Sequence, residues 1–159
     1  MYHKIASGYN ELHGKEQLEK LKIISKFIKV KETDRLLDIG CGTGISTNYF
    51  KCESCGVDNC EEMIKEGTGN LIVSSYEKLP FDDKYFDVIL CITAVHHFTN
   101  LNKFIEEVKR VIKSNGIIVI TILKKSPKAD YIRQKLLSNF IFVNEINESK
   151  DIILIFKHI

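Results

Sequence analysis

From Lys15 to Lys29, the apolar residues Leu18, Leu21, Ile24, Phe27 and Ile28 recur at helical spacing among lysines and glutamates, which predicts an amphipathic helix. The period then changes. Arg35–Gly40 (RLLDIG) is short, apolar and closed by glycine, as a buried strand would be. The alternation continues with a short helix over Ile45–Phe50, a strand over Ser54–Asp58, a short helix over Glu61–Glu66 and a strand over Leu71–Ser75. A turn-rich stretch, Leu79–Lys84, leads to a strand at Phe86–Ile92 and a helix at Leu101–Lys113, which Asn115-Gly116 ends. A fifth strand covers Ile117–Leu123, and a helix at Ala129–Ser138 starts just after Pro127.

Strands alternating with helices imply parallel crossovers with helices on both faces of an open sheet, so the fold class is α/β, doubly wound. The carboxy-terminal strands, Phe140–Ile146 and Ile152–Ile159, are joined only by Asn147–Asp151, too short for a parallel crossover. They are expected to form an antiparallel hairpin at one end of the sheet.

Composition narrows the classes that remain. At 159 residues, with 44% hydrophobic and 28% charged residues, the chain has the balance of one ordinary globular domain, 1–159. Its formal net charge of +2 is far from that of a protein binding nucleic acid by bulk charge, so a polynucleotide would need a local patch or a partner. The longest apolar run, Ile117–Leu123, is too short to cross a bilayer, and the amino terminus lacks the apolar stretch of a signal peptide, so the expected location is cytoplasmic. Cys52 and Cys55 form a CxxC with Cys60 close behind, but no second pair completes a zinc set, and no metal is expected.

The chemistry gathers at Asp38-Ile-Gly40-Cys41-Gly42-Thr43-Gly44, where a strand runs into three alternating glycines. Such glycines permit a tight turn and close approach of a ligand to amide groups at a helix start. The dinucleotide pattern GxGxxG would need a third glycine at position 45, where Ile45 stands, which weakens a nicotinamide reading. Asp58 closes the second strand, where a carboxylate either accepts from both hydroxyls of a ribose or caps the following helix.

On these residues, LLDIGCGTG, the GVD-Asn59 segment and YEKLPFDDKYFDVI in order, residues 36–123 resemble the class I S-adenosylmethionine-dependent methyltransferases, the type 11 group in particular. The resemblance implies a Rossmann-like sheet of seven strands ordered 3-2-1-4-5-7-6. It divides the chain into a lead-in (1–34), a cofactor-binding core (35–123) and a closing helix with hairpin (124–159). It places S-adenosylmethionine against Asp38, Gly40, Cys41, Gly42 and Cys91, with Asp58 on the ribose. Asn59, Met63, Ser75 and Tyr76 fall near the adenine, and Ser75 stands where many members carry aspartate. Tyr2 and Tyr9 fall in a lead-in that folds over the cofactor in similar proteins; an amphipathic helix packing on the sheet accounts for the same residues. Cys91-Ile-Thr-Ala-Val-His96-His97-Phe98 resembles the family's (A/V)xHH segment, making His96 the candidate catalytic residue, either a general base or a residue that only packs its loop.

Only a short segment separates Leu123 from Phe140, so no lid insertion is expected and the acceptor is read as macromolecular, transfer RNA or protein. The cluster Lys124, Lys125, Lys128, Arg133 and Lys135 is either a phosphate-binding patch or a solvated helix face. The third strand, Asn70–Ser75, would be an apolar sheet edge without guarding lysine or proline. That edge suits a small activator protein, a second copy, or cover from its own loops. The competing function is a non-catalytic cofactor-binding subunit of a heteromeric methyltransferase.

Overall fold

A computed structural model of the chain describes residues 14–159. Helix α1 covers 14–24, and the strands and helices that follow are β1 (Arg35–Ile39), β2 (Glu53–Asp58), α2 (Glu61–Glu66), β3 (Leu71–Val73), β4 (Phe86–Cys91), α3 (Leu101–Val111), β5 (Ile112–Leu123), α4 (Ala129–Leu137), β6 (Ile141–Asn147) and β7 (Asp151–Lys157). One sheet joins all seven strands in the order β3-β2-β1-β4-β5-β7-β6. β1 to β5 run parallel, and β7 is antiparallel to both β5 and β6, giving the expected hairpin.

Because both faces of the parallel strands are covered, neighbouring strand residues are buried on opposite sides and the strands read as continuous apolar runs. Leu37, Ile89, Ile118 and Phe156 pack with Phe104 and Val108 of α3 and Leu136 of α4. On the other face Leu36, Leu90, Val119 and Ile155 pack with Ile24 of α1. The segment leading into β4 is pinned to α3. Arg110 donates to the carbonyls of Leu79 (2.9 Å) and Phe81 (2.7 Å), and Glu107 accepts from the Leu79 N–H at 2.7 Å.

Three expected elements differ. No helix forms over residues 45–50, which are a succession of turns. The side chains there bond elsewhere: Ser46 and Thr47 donate to Asp38, and Asn48 Nδ2 donates to the carbonyls of Gly44 and Thr68. Helix α1 stops at residue 24 rather than Lys29, tightening into i→i+3 bonds at Lys26 and Phe27. The turn expected at Asn115-Gly116 is a bulge within a longer β5. Pairing moves from Phe86–Ile112 to Val88–Ile117, and Asn115 takes a φ of 64°. Among the described residues no helix is long and apolar enough to cross a membrane.

Candidate active site

The carboxyl ends of β1, β2 and β4 open onto a cleft of about 510 Å3, the size of ordinary small-molecule sites. One wall is the glycine loop. Gly40 (φ 75°), Gly42 (φ 56°) and Gly44 (φ 92°) all occupy the left-handed region, where a side chain is strained. A Cβ at Gly40 would stand 2.6 Å from the Ala94 Cβ, so this loop packs directly against the segment that follows β4.

The loop does not offer the free amides expected of it. Gly40 and Cys41 N–H both donate to the Val57 carbonyl, Gly42 N–H to Asp58 Oδ2 at 2.9 Å, and Gly44 N–H to the Cys41 carbonyl. With no helix after it, the loop has no helix start either. Its contribution is a surface free of side chains.

Asp58 accepts the Gly42 amide on one oxygen and the Cys60 amide on the other, both at 2.9 Å, so its carboxylate is fixed at the cleft wall with lone pairs left over. The Cys60 bond is a turn just before α2, whose own N-cap, Cys60, makes no side-chain cap. Asn59, Met63 and Ser75 line the same cleft. Ser75 Oγ accepts from the Glu77 N–H at 3.0 Å. Tyr76 lies flat on Phe98, with ring centroids 3.9 Å apart and planes inclined by 14°, and its hydroxyl accepts from the Asn100 N–H.

Four other expected residues do not reach the cleft. Asp38, Cys41 and Cys91 are buried and line none of it. Asp38 Oδ2 accepts from Ser46 (2.5 Å) and Thr47 (2.8 Å), while Oδ1 has no partner among the described residues. Burial pushes the Asp38 carboxyl up to about 6, against the lowering effect of those two hydroxyls, and Asp58 adds to the rise. Burial likewise raises the thiols of Cys41 and Cys91, which suits packing rather than nucleophilic work. At the histidine pair, His97 lines the cleft and His96 does not; the rings lie 4.0 Å apart, and His96 Nδ1 is buried without a partner among the described residues. Burial, helped by His97, holds the His96 pKa below the usual imidazole range. Tyr2 and Tyr9 lie outside the described residues.

The wall after β4 was the part the sequence reading missed. Thr93, Ala94, Phe98 and Thr99 all line the cleft. Phe98 had a signal, an aromatic directly after the histidine pair. Thr93 had none, since nothing in its neighbours announces a φ of 50°.

Residues 37–120, more than half of the chain, match the model of the methyltransferase domain family. An uncharacterised methyltransferase of Bacillus subtilis, YcgJ, is 30% identical over 94% of this chain and 61% of its own length. The tRNA (carboxymethyluridine(34)-5-O)-methyltransferase of Schizosaccharomyces pombe is 28% identical over 71% of this chain and 50% of its own. The chain spans about two fifths to three fifths of the length of curated relatives it matches. In fold it is similar to the methyltransferase solved in complex with the Haloferax volcanii Trm112 activator, with a TM-score of 0.81 at 15% identity, covering 99% of this chain and 97% of that one. By the family match and the identity to YcgJ, the chain belongs to the S-adenosylmethionine-dependent methyltransferase domain family.

Proposed function

We propose that the chain transfers the methyl group of S-adenosylmethionine to a macromolecular acceptor, transfer RNA ahead of protein, at the cleft above β1, β2 and β4. The observation that carries the reading is the convergence of Gly40, Gly42 and Asp58 on one wall. The residues fit the cofactor. Asp58 keeps lone pairs for ribose hydroxyls, the unpartnered buried oxygen of Asp38 suits a nearby cation, and Met63 with the Tyr76–Phe98 stack gives apolar surface for adenine. When bound, the cofactor supplies an electrophilic methyl on a positively charged sulfur. The chain then has to align the acceptor and receive its proton. We assign that side to the histidine pair, His97 at the cleft as the group within reach of an acceptor proton and His96 packed beside it.

The acceptor reading rests on access and charge. Between β5 and β6 there are only turns and α4, and Lys124, Lys125 and Lys128 are exposed where β5 ends. Arg133 contributes less than expected, being paired with Glu145 at 2.8 Å. The similarity to a tRNA methyltransferase agrees with this choice. Calorimetry with S-adenosylhomocysteine tests the site: Asp58→Ala is expected to cost about 1.5 to 3 kcal/mol, since a charged acceptor for two hydroxyls is removed. Tritium transfer to total RNA and to cell protein tests the acceptor. Labelled protein with unlabelled RNA overturns the RNA choice, and unchanged affinity in folded Asp58→Ala overturns the ribose assignment.

A partner reading is favoured by β3, the outer strand of the sheet. Its Val73 is half exposed, and Ile72 lines a second cleft, of about 500 Å3, with Phe81 and Tyr85. We infer that a small activator of the kind in the Haloferax complex adds a strand there. Co-expressed with such an activator, the chain is expected to copurify with it and Ile72→Lys to lose it. A monomer that methylates its acceptor unaided overturns the inference, and binding without transfer by the chain alone agrees with a subunit that needs its partner.

A further inference from the structure

We propose that a buried pair, Lys20 of α1 with Asp151 at the start of β7, is a positioning device for the cleft: through Thr93 it fixes the wall formed by residues 93–99. Lys20 Nζ lies 3.2 Å from Asp151 Oδ2, and both side chains are almost wholly shielded from solvent, at 4% and 0% exposure. Between them stands Thr93. Its hydroxyl accepts from Lys20 Nζ at 2.9 Å and donates to Asp151 Oδ2 at 2.6 Å. Its N–H donates to Thr121 Oγ1 of β5 at 2.7 Å, and that hydroxyl donates to the same Asp151 oxygen at 3.0 Å. Every donor and acceptor in this ring has a consistent direction, and the ring joins α1, β5 and β7 at one residue.

That residue is under strain. Thr93 has a φ of 50°, a region that a β-branched side chain avoids and that persists only where the surroundings over-determine it. A buried ion pair adds little stability over well-packed apolar residues of the same volume, so what this one supplies is direction. The direction matters at the cleft. Thr93 lines it, and so do Ala94, His97 and Phe98 immediately after it. The Ala94 methyl closes over Gly40 so tightly that a Cβ there would sit 2.6 Å away, and any shift of Thr93 is passed to the glycine loop. The fold thus makes the ligand wall depend on α1, an element that itself lines none of this cleft.

The inference rests on the methyl-transfer reading only through its probe, S-adenosylhomocysteine. Asp151→Asn, which leaves Lys20 unpaired, and Thr93→Val, which keeps the shape but removes the hydroxyl, are each expected to weaken its binding by about tenfold or more in calorimetry. Thr93→Ser should recover most of what Thr93→Val loses. Ile112→Ala, at the opposite end of β5, gives a comparably destabilised protein whose affinity stays at the wild-type value. Hydrogen exchange supplies a second readout: the His97 and Phe98 amides, bonded to the Ala94 and Val95 carbonyls, should exchange faster in Asp151→Asn and not in Ile112→Ala. Affinity and exchange in the Asp151 and Thr93 variants that match Ile112→Ala overturn the positioning role. Should Asp151→Asn fail to fold, Thr93→Val carries both measurements. A wild-type protein that binds no S-adenosylhomocysteine overturns the methyl-transfer reading, and the exchange result still decides the role of the pair.

Discussion

Replacing Phe104 by alanine is expected to cost about 3 to 5 kcal/mol of folding free energy, as truncation of a buried aromatic does when the cavity cannot collapse. Phe104 is fully buried on α3 and packs under the cleft wall, its ring 5.1 Å from that of Phe98 and 6.1 Å from that of Tyr76. Its removal therefore undercuts the stacked pair as well as the core. Against a typical total of about 5 to 15 kcal/mol, such a loss leaves a marginal protein. Saturating S-adenosylhomocysteine should recover part of the melting temperature through binding to the folded state. Urea unfolding of Phe104→Ala and Phe104→Leu, with and without ligand, measures both effects. A loss under about 1 kcal/mol would mean that the site collapses freely, contrary to its place beneath two other rings.

Asp38→Asn should change the pH dependence of stability rather than simply its level. In the unfolded chain this carboxyl titrates near 3.8, and in the folded protein near 6, chiefly because it is buried. Between those values the folded state holds more proton than the unfolded one, so stability falls as pH rises through the window and stays at the lower level above it. The full penalty is about 3 kcal/mol once both states are ionised. Asparagine removes it, but its amide is then buried where Oδ1 has no partner among the described residues, at a cost of about 1 to 2 kcal/mol. The expected result is a variant less stable than wild type near pH 4 and more stable by about 1 to 2 kcal/mol at pH 8. Denaturant titrations at both pH values measure the crossover, and parallel curves would show that folding leaves the titration of this carboxyl unchanged.

The strands and the hairpin were legible in local signals, apolar runs between turn residues and a link from Asn147 to Asp151 too short for anything but an antiparallel return, whereas the order of the strands was legible only through the family resemblance. Asp58 and the glycines were legible for the same reason, being strand-end residues whose position follows from the strand. What escaped depended on contacts that hydrophobic periodicity does not register. Residues 45–50 have a helical look, but Ser46 and Thr47 spend their hydroxyls on Asp38, on the far side of the glycine turn. His96 and His97 are equivalent as letters, and only the short turn of 3-10 helix at Val95–His97 decides which of them lines the cleft. Thr93 is the clearest case, since its conformation is set by residues 28, 58 and 73 positions away.

The engaged amides of the glycine loop have one more consequence. Phosphate recognition at a glycine turn needs unspent N–H groups and the positive end of a helix. Here Gly40, Cys41, Gly42 and Gly44 have committed theirs to Val57, Asp58 and Cys41, no helix begins, and two carboxylates, Asp38 and Asp58, stand close enough to feel each other. The loop that looks most like a nucleotide cradle is thus electrically the wrong way round for a pyrophosphate. Such a loop would favour a nucleoside that carries a cation over one that carries an anion.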